Sequence, residues 1–395
     1  MQNKSLKSQF LIQPDITFLN FGSFGACAKP IFEDYQKWQL ELETEPAQFI
    51  QVNGPNYLKQ SREALAKYIN CHADDLVYTT NPSYATNIIA KGLKLNPGDE
   101  VLSTNLEYGA ADKAWDYYCK KAGAKYVRQN ITLPVTTKEK FIEEFFAGLS
   151  SKTKLIFISE ITSTTALKFP VKEICEIAKQ KGLMTFVDGA HSLGHIPVDL
   201  SKLQADIYTG ACHKWMMTPK GSSFLYVKKE FQSLFDPLLV SWGYNAMFPS
   251  DSQFLDYHQM QGTRDFSAFL TIPKAIEFMK ENNWWEVAKE CRELVKKNAL
   301  RFCELAGSKP LCPITDEWLG QMFSIPIVTP EPEKLQRHLF TEYKVEIPVM
   351  RHDDKTYLRY SINAFNTQND LDRLYDALKE IMEKTELITV KNLVK

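Results

Sequence analysis

Two residues in the stretch from Met184 to Tyr226, Asp188 and Lys214, have side chains that can work on a single ligand. Met184 to Val187 is a short apolar run of the kind that fills a parallel strand, and Asp188-Gly189 stops it, so the carboxylate belongs at the strand's C-terminal end. Open α/β sheets bind ligands along that edge. Ala205 to Thr209 reads as the next strand, and Gly210-Ala211-Cys212-His213-Lys214-Trp215 follows it, which returns Lys214 to the same edge. A lysine amine condenses with an aldehyde, and a carboxylate beside a pyridine nitrogen keeps that ring protonated. Together they are the minimum set for pyridoxal phosphate (PLP) acting as an electron sink. The same two residues also suit a turn-forming Asp and a solvated surface lysine, so the pair alone leaves both readings open.

Other elements must bring further groups to that edge. The run Thr17-Phe18-Leu19-Asn20-Phe21-Gly22-Ser23-Phe24-Gly25 sets glycines among small and aromatic residues, a pattern for close backbone approach. Pro30 opens a helix with Ile31, Tyr35, Trp38 and Leu42 at helical spacing, and Pro46 ends it. Leu76 to Thr80 reads as a strand leading through Asn81-Pro82-Ser83-Tyr84 into a helix, whose first amides and positive dipole end suit an anion such as a phosphate. An ordinary N-cap by Ser83 is the alternative. After the turn Pro97-Gly98-Asp99 comes the strand EVLST, and Tyr108 follows where an aromatic can stack on a ring face. The strand Leu155 to Ser159 delivers Thr162 and Ser163, two hydroxyl candidates for cofactor or substrate. Trp215, Met216 and Met217 read as packing. From about Ile272 the pattern turns to amphipathic helices and two short strands, MFSIPIV and TYLRYSI, the make-up of a smaller α+β domain. The expected division is an N-terminal segment 1–16, a large domain 17–270 and a small domain 271–395.

The motifs VDGAH, CHKWMMTPKG, QGTRD and LRYSINAFNT, in that order, resemble the class V branch of the fold-type I PLP-dependent enzymes over nearly the whole chain. The wording LNFGSFG, HKW and QGTRDFSAF is most similar to the isopenicillin N epimerase-like group. The resemblance implies an α/β fold with a mostly parallel seven-stranded large-domain sheet flanked by helices, plus a smaller α+β C-terminal domain. It implies PLP as cofactor and an amino-acid substrate, processed through a Schiff base and a Cα carbanion. By the same resemblance the Ser83 hydroxyl and nearby amides, including that of Tyr84, hold the phosphate, with His213 as a further donor. Tyr108 takes the place of the stacking His of cysteine desulfurases, His191 bonds the cofactor's phenolic oxygen, and Thr162 is a weaker cofactor contact. Thr263 reaches the phosphate of a neighbouring subunit, which implies a homodimer with shared sites. Ser23 lines the substrate side, and Arg359 grips the substrate carboxylate with two parallel hydrogen bonds. The phosphate loop is less Gly-rich than in desulfurases, and Ala211 stands where some relatives carry Ser or Asn.

Composition narrows the partners. Among 395 residues, 47 basic side chains nearly balance 48 acidic ones, which leaves no electrostatic footprint for nucleic acid or an anionic membrane. The eight cysteines lack CxxC spacing and sit mostly in apolar or helical contexts, as expected in a reducing compartment without structural zinc. No apolar h-region stands at the N-terminus and no run approaches a membrane span, so the cytoplasm is the expected location. Tyr343 to Leu358 holds no cysteine, which disfavours persulfide chemistry, and no GxSxG, HExxH or P-loop motif is present. Epimerase-like chemistry leads, with aminotransfer or C–S lysis as the alternative. A non-catalytic PLP-fold binding protein ranks lower because both Asp188 and Lys214 are retained. A metal hydrolase on Asp188, His191 and His213 ranks last, for want of ligand spacing.

Overall fold

The computed structural model of the chain describes residues 6–247 and 249–389, so the outermost ends of the expected N-terminal segment and small domain fall outside it. Seven strands form the central sheet: β1 (Leu76–Thr79), β2 (Glu100–Thr104), β3 (Lys125–Gln129), β4 (Thr153–Ser159), β5 (Met184–Gly189), β6 (Ile207–Ala211) and β7 (Ser223–Val227). Their spatial order is β1-β7-β6-β5-β4-β2-β3. Only β7 runs antiparallel to its neighbours, β1 and β6, so the expected mostly parallel seven-stranded sheet is the one observed.

Such a sheet is buried on both faces, and alternate side chains of each strand enter different cores. Ile156 and Ile158 of β4 join one apolar cluster, while Leu155 and Phe157 join the other. Helices cover both faces. Val171–Gln180 buries Val171, Ile174, Cys175 and Ala178, the stripe of an amphipathic helix, and burying one such isoleucine contributes roughly 2 kcal/mol. Pro82–Gly92 and Gly109–Ala122 cover the opposite face with Ala85, Ile88, Ile89, Trp115 and Cys119.

The small sheet is antiparallel, in the order β9-β10-β8, built from β8 (Met322–Ile327), β9 (Val349–His352) and β10 (Lys355–Ser361). Helices Trp284–Leu305, Pro332–Tyr343 and Gln368–Lys384 complete this α+β part. The first segment of the chain lies on it. Thr17–Phe18 pairs in parallel with Val345–Glu346, and the Ser361 N–H donates to the Leu19 carbonyl. One apolar cluster runs without a break from the large sheet into this region.

Several boundaries differ from the expectation. β6 ends at Ala211 rather than Thr209, because pairing with β7 carries the ladder to Ala211 and Ser223. The amphipathic helices expected from about Ile272 are present as Ile272–Glu281 and Trp284–Leu305, with the division between them at Asn283, which adopts a left-handed φ of 47°. The helix after β1 is capped by Asn81, not Ser83: the Asn81 side chain accepts the Tyr84 N–H at 2.8 Å.

Candidate active site

Asp188 closes β5, opposite Ser159 of β4 and Thr209 of β6 in the ladder, so its side chain is fixed by neighbours on both sides. It is buried, and its Oδ1 accepts only the Ala190 N–H at 2.9 Å. No donor among the described residues meets its other oxygen, and burial raises its pKa against the pull of that N–H and of Lys214. The residue after it must be glycine, since a Cβ on Gly189 would lie 1.9 Å from the Tyr208 hydroxyl oxygen.

Lys214 follows β6 in a tight loop, where the Met217 N–H donates to the Lys214 carbonyl and Met217 itself takes a φ of 61°. Gly25 lies against this loop: a Cβ there would stand 2.3 Å from the His213 carbonyl, and its φ is 64°. The N-terminal glycine run therefore does make the close approach its composition suggests. Burial pushes the Lys214 amine down to about 8, helped by the charge of Arg359 and opposed by Asp188. Its Nζ is 3.3 Å from His191 Nε2. Burial, then Lys214, Arg359, His195 and His213, hold His191 well below the usual imidazole range, so that ring is neutral.

Arg359, in β10, is fully buried and pairs with no carboxylate among the described residues. Its Nη1 donates to the Ser163 carbonyl at 2.6 Å and to the Ser163 Oγ at 3.3 Å, while Nη2 donates to Ser23 Oγ at 2.9 Å. Nε has no partner among the described residues, and burial lowers the guanidinium to about 10. A buried cation met only by neutral oxygens is a site for an anion.

At the helix after β1, the Ser83 hydroxyl has no partner among the described residues, whereas the Tyr84 amide is taken by Asn81. The Tyr84 phenol is buried without a partner among the described residues, and the Arg264 charge acts on it, so QGTRD lies beside the same helix. His213 donates Nδ1–H to the Ser222 carbonyl at 2.8 Å, which leaves Nε2 able to donate only if the ring is protonated. Tyr108 is half exposed at the start of helix Gly109–Ala122. Thr263 is exposed as well. The Thr162 hydroxyl is already engaged by Thr165 and by the Leu167 N–H, so Ser163 is the residue of that pair that reaches the site, through Arg359.

Three buried groups went unassigned in the sequence. Glu107 accepts from Thr104 Oγ1 and from the amide and hydroxyl of Ser159, tying the ends of β2 and β4 together; burial pushes it up to about 7, with Asp188 adding to the rise. Glu160 accepts the Tyr208 hydroxyl at 2.7 Å. His195 donates Nδ1–H to the His191 carbonyl and accepts the N–H of Gln321, just before β8. An acidic residue directly before Tyr108, and a second histidine four positions after His191, were the available signals.

This geometry fits an aldehyde-bearing pyridine: an unmet carboxylate oxygen for a protonated ring nitrogen, a depressed amine for the aldehyde, and an open Ser83 hydroxyl at a helix start. The family model described as aminotransferase class-V matches residues 51–374. Isopenicillin N epimerase of Amycolatopsis lactamdurans is 30% identical over 391 residues, spanning 95% of this chain and 97% of that protein. A probable chloroplastic L-cysteine desulfhydrase of Arabidopsis thaliana is 28% identical, covering 93% of this chain and 83% of its own. Among solved structures, a C-DES mutant with glycine covalently linked to the PLP cofactor superposes with a TM-score of 0.80 at 19% identity, over 95% of this chain and 99% of that one.

Proposed function

Because the chain belongs to the aminotransferase class-V family, we propose that it is a PLP-dependent enzyme that acts at Cα of an amino-acid substrate, with epimerase-like chemistry leading. The observation that carries this reading is the pairing of Lys214, a buried amine, with Asp188, a buried carboxylate with one unmet oxygen, at adjacent strand ends. When bound, PLP draws the electron pair left at a substrate carbon into its ring. Asp188 would hold a proton at the ring nitrogen, and the open Ser83 hydroxyl at the helix start would hold the phosphate. Lys214 is partly neutral near pH 7, so its Nζ can take a proton from Cα and return it. His191 presents a ring nitrogen beside that amine. Arg359, steadied by Ser23 and Ser163, binds the α-carboxylate and so fixes the direction of the Cα–H bond.

Aminotransfer and C–S cleavage use the same groups, and the desulfhydrase relative keeps the second in view. Persulfide transfer has less support, since β9 and β10 occupy the stretch upstream of Arg359 without a cysteine, and Cys312 is buried with its thiol pushed up to about 12. A homodimer in which Thr263 serves a second copy's phosphate belongs to the same proposal, supported by the exposed apolar run Leu239, Val240, Trp242 and Met247 near that segment. So do the division at residue 270 and a cytoplasmic location, the latter in keeping with eight free cysteines. Among the described residues no helix is long and apolar enough to cross a membrane.

The test is product analysis with a panel of L- and D-amino acids in deuterated water. Solvent deuterium at Cα with loss of chirality is the expected result. Keto acid formed by transamination, or sulfide release, would move the assignment to an alternative, and no exchange with any amino acid by PLP-loaded protein would end the reading.

A further inference from the structure

Trp215, next to the lysine in sequence, makes a contact that packing does not require. Its indole Nε1–H points at His191 Nδ1 at 3.3 Å, and both side chains are buried. An indole nitrogen can only donate, so His191 Nδ1 must accept and carries no proton. A neutral imidazole then bears its proton on Nε2, the atom 3.3 Å from Lys214 Nζ. Neutrality is secured by burial and by the like charges around the ring, Lys214 and Arg359 foremost.

We propose that Trp215 is a positioning residue that locks His191 in the Nε2–H tautomer, so that the lone pair of a neutral Lys214 amine and any acceptor oxygen brought beside it meet a donor. The indole is itself held rigidly. The His195 ring lies against it with centroids 4.0 Å apart, and Phe21 packs at 5.1 Å. Gly194 closes the same contact, since a Cβ there would stand 2.2 Å from the Trp215 carbonyl oxygen. His195 bears the opposite tautomer. Its Nδ1–H donates to the His191 carbonyl at 2.8 Å and its Nε2 accepts the Gln321 N–H, so neighbouring histidines are fixed in complementary forms by donors that cannot reverse. Without the indole N–H, a neutral His191 would be free to move its proton to Nδ1 and turn a bare Nε2 toward Lys214. That nitrogen could then accept from the lysine but could not donate to the lone pair of a neutral amine or to an acceptor oxygen.

The consequence for catalysis rests on the proposed role of Lys214, but the tautomer does not. In protein labelled with 15N-histidine, with the His191 signals assigned by their loss in His191→Gln, the wild type should show a bare Nδ1 and a protonated Nε2 from pH 6 to 9. Replacing Trp215 by Phe, or by the isosteric benzothienyl amino acid that lacks only the N–H, should yield a mixed or reversed pair of shifts. The analogue should also lower kcat at least several-fold while KM changes little, because Arg359 and Ser23 are untouched. A protonated Nδ1 in the wild type, or an unchanged tautomer in the isosteric variant, would overturn the proposal. The expected tautomer in a protein that exchanges no amino-acid Cα proton would uphold it and sink the assigned function instead.

Discussion

Arg359 carries its charge into a place where, among the described residues, only Ser163 and Ser23 oxygens answer it, and a substrate carboxylate would supply the missing counterion. Losing a charge-assisted pair costs roughly 2 to 5 kcal/mol when the charge left behind is buried, so Arg359→Ala should lower kcat/KM about 30-fold or more. Cofactor loading should persist, since the groups proposed to hold PLP follow strands of the large sheet. Arg359→Lys should rescue only in part because an ammonium lacks the planar fork. An amine substrate without a carboxylate should be spared; an equal loss there would make Arg359 structural. Lys214 offers a second test in the apoprotein. Arg359→Gln should raise its pKa from about 8, and Asp188→Asn should lower it, readable by the pH dependence of borohydride trapping with pyridoxal phosphate. The native chain releases that proton near 8 and an unfolded lysine near 10.5. Between those values the unfolded state binds more protons, so the apoprotein gains stability as pH rises through the window. Asp188, Lys214 and Arg359 were legible in the sequence because a strand end or a motif flags each. Trp215 and His195 were not, since their meaning depends on partners such as Gln321 that only tertiary packing supplies.

At the level of elements, the site is the row of C-terminal strand ends, and Glu107 clamps two of them. Its acid group sits near 7 in the fold against 4.5 when unfolded, so the native state favours the protonated form. Stability from this residue is present in acid and falls as pH rises from about 4.5 to about 7, where the unfolded chain ionises first. Glu107→Gln should flatten that decline, measured as the unfolding midpoint between pH 5 and 7. A parallel decline in both proteins would assign it to other groups. Gly189→Ala tests the packing behind Asp188: with Tyr208 only 1.9 Å from the new methyl, the strand end must shift, at a cost of roughly 1 to 3 kcal/mol. Strand identities were readable from apolar runs such as Leu155 to Ser159, because both faces are buried. Ends were not, as at Ala211, where the partner strand decides, and at Asn283, where a single left-handed residue divides a continuous amphipathic pattern.

At the level of the whole molecule, shared sites predict complementation. Lys214→Ala subunits mixed with a Thr263→Ala, Arg264→Ala double variant should regain part of the activity that each homodimer lacks, and mixed dimers without recovery would argue for self-contained sites. The pairing of Thr17–Phe18 with Val345–Glu346 has a different bearing, on the order of events during synthesis. The glycine run that reaches the lysine loop and Arg359 leaves the ribosome long before the strand that anchors it, on the order of tens of seconds earlier at ordinary elongation rates. Until then this segment has no edge to join. A nascent chain stalled before Val345 should keep residues 17–25 open to protease, while the full-length chain protects them. Lys214 therefore stays uncovered until Val345 has emerged, and a product truncated before it would display an amine that the finished fold encloses.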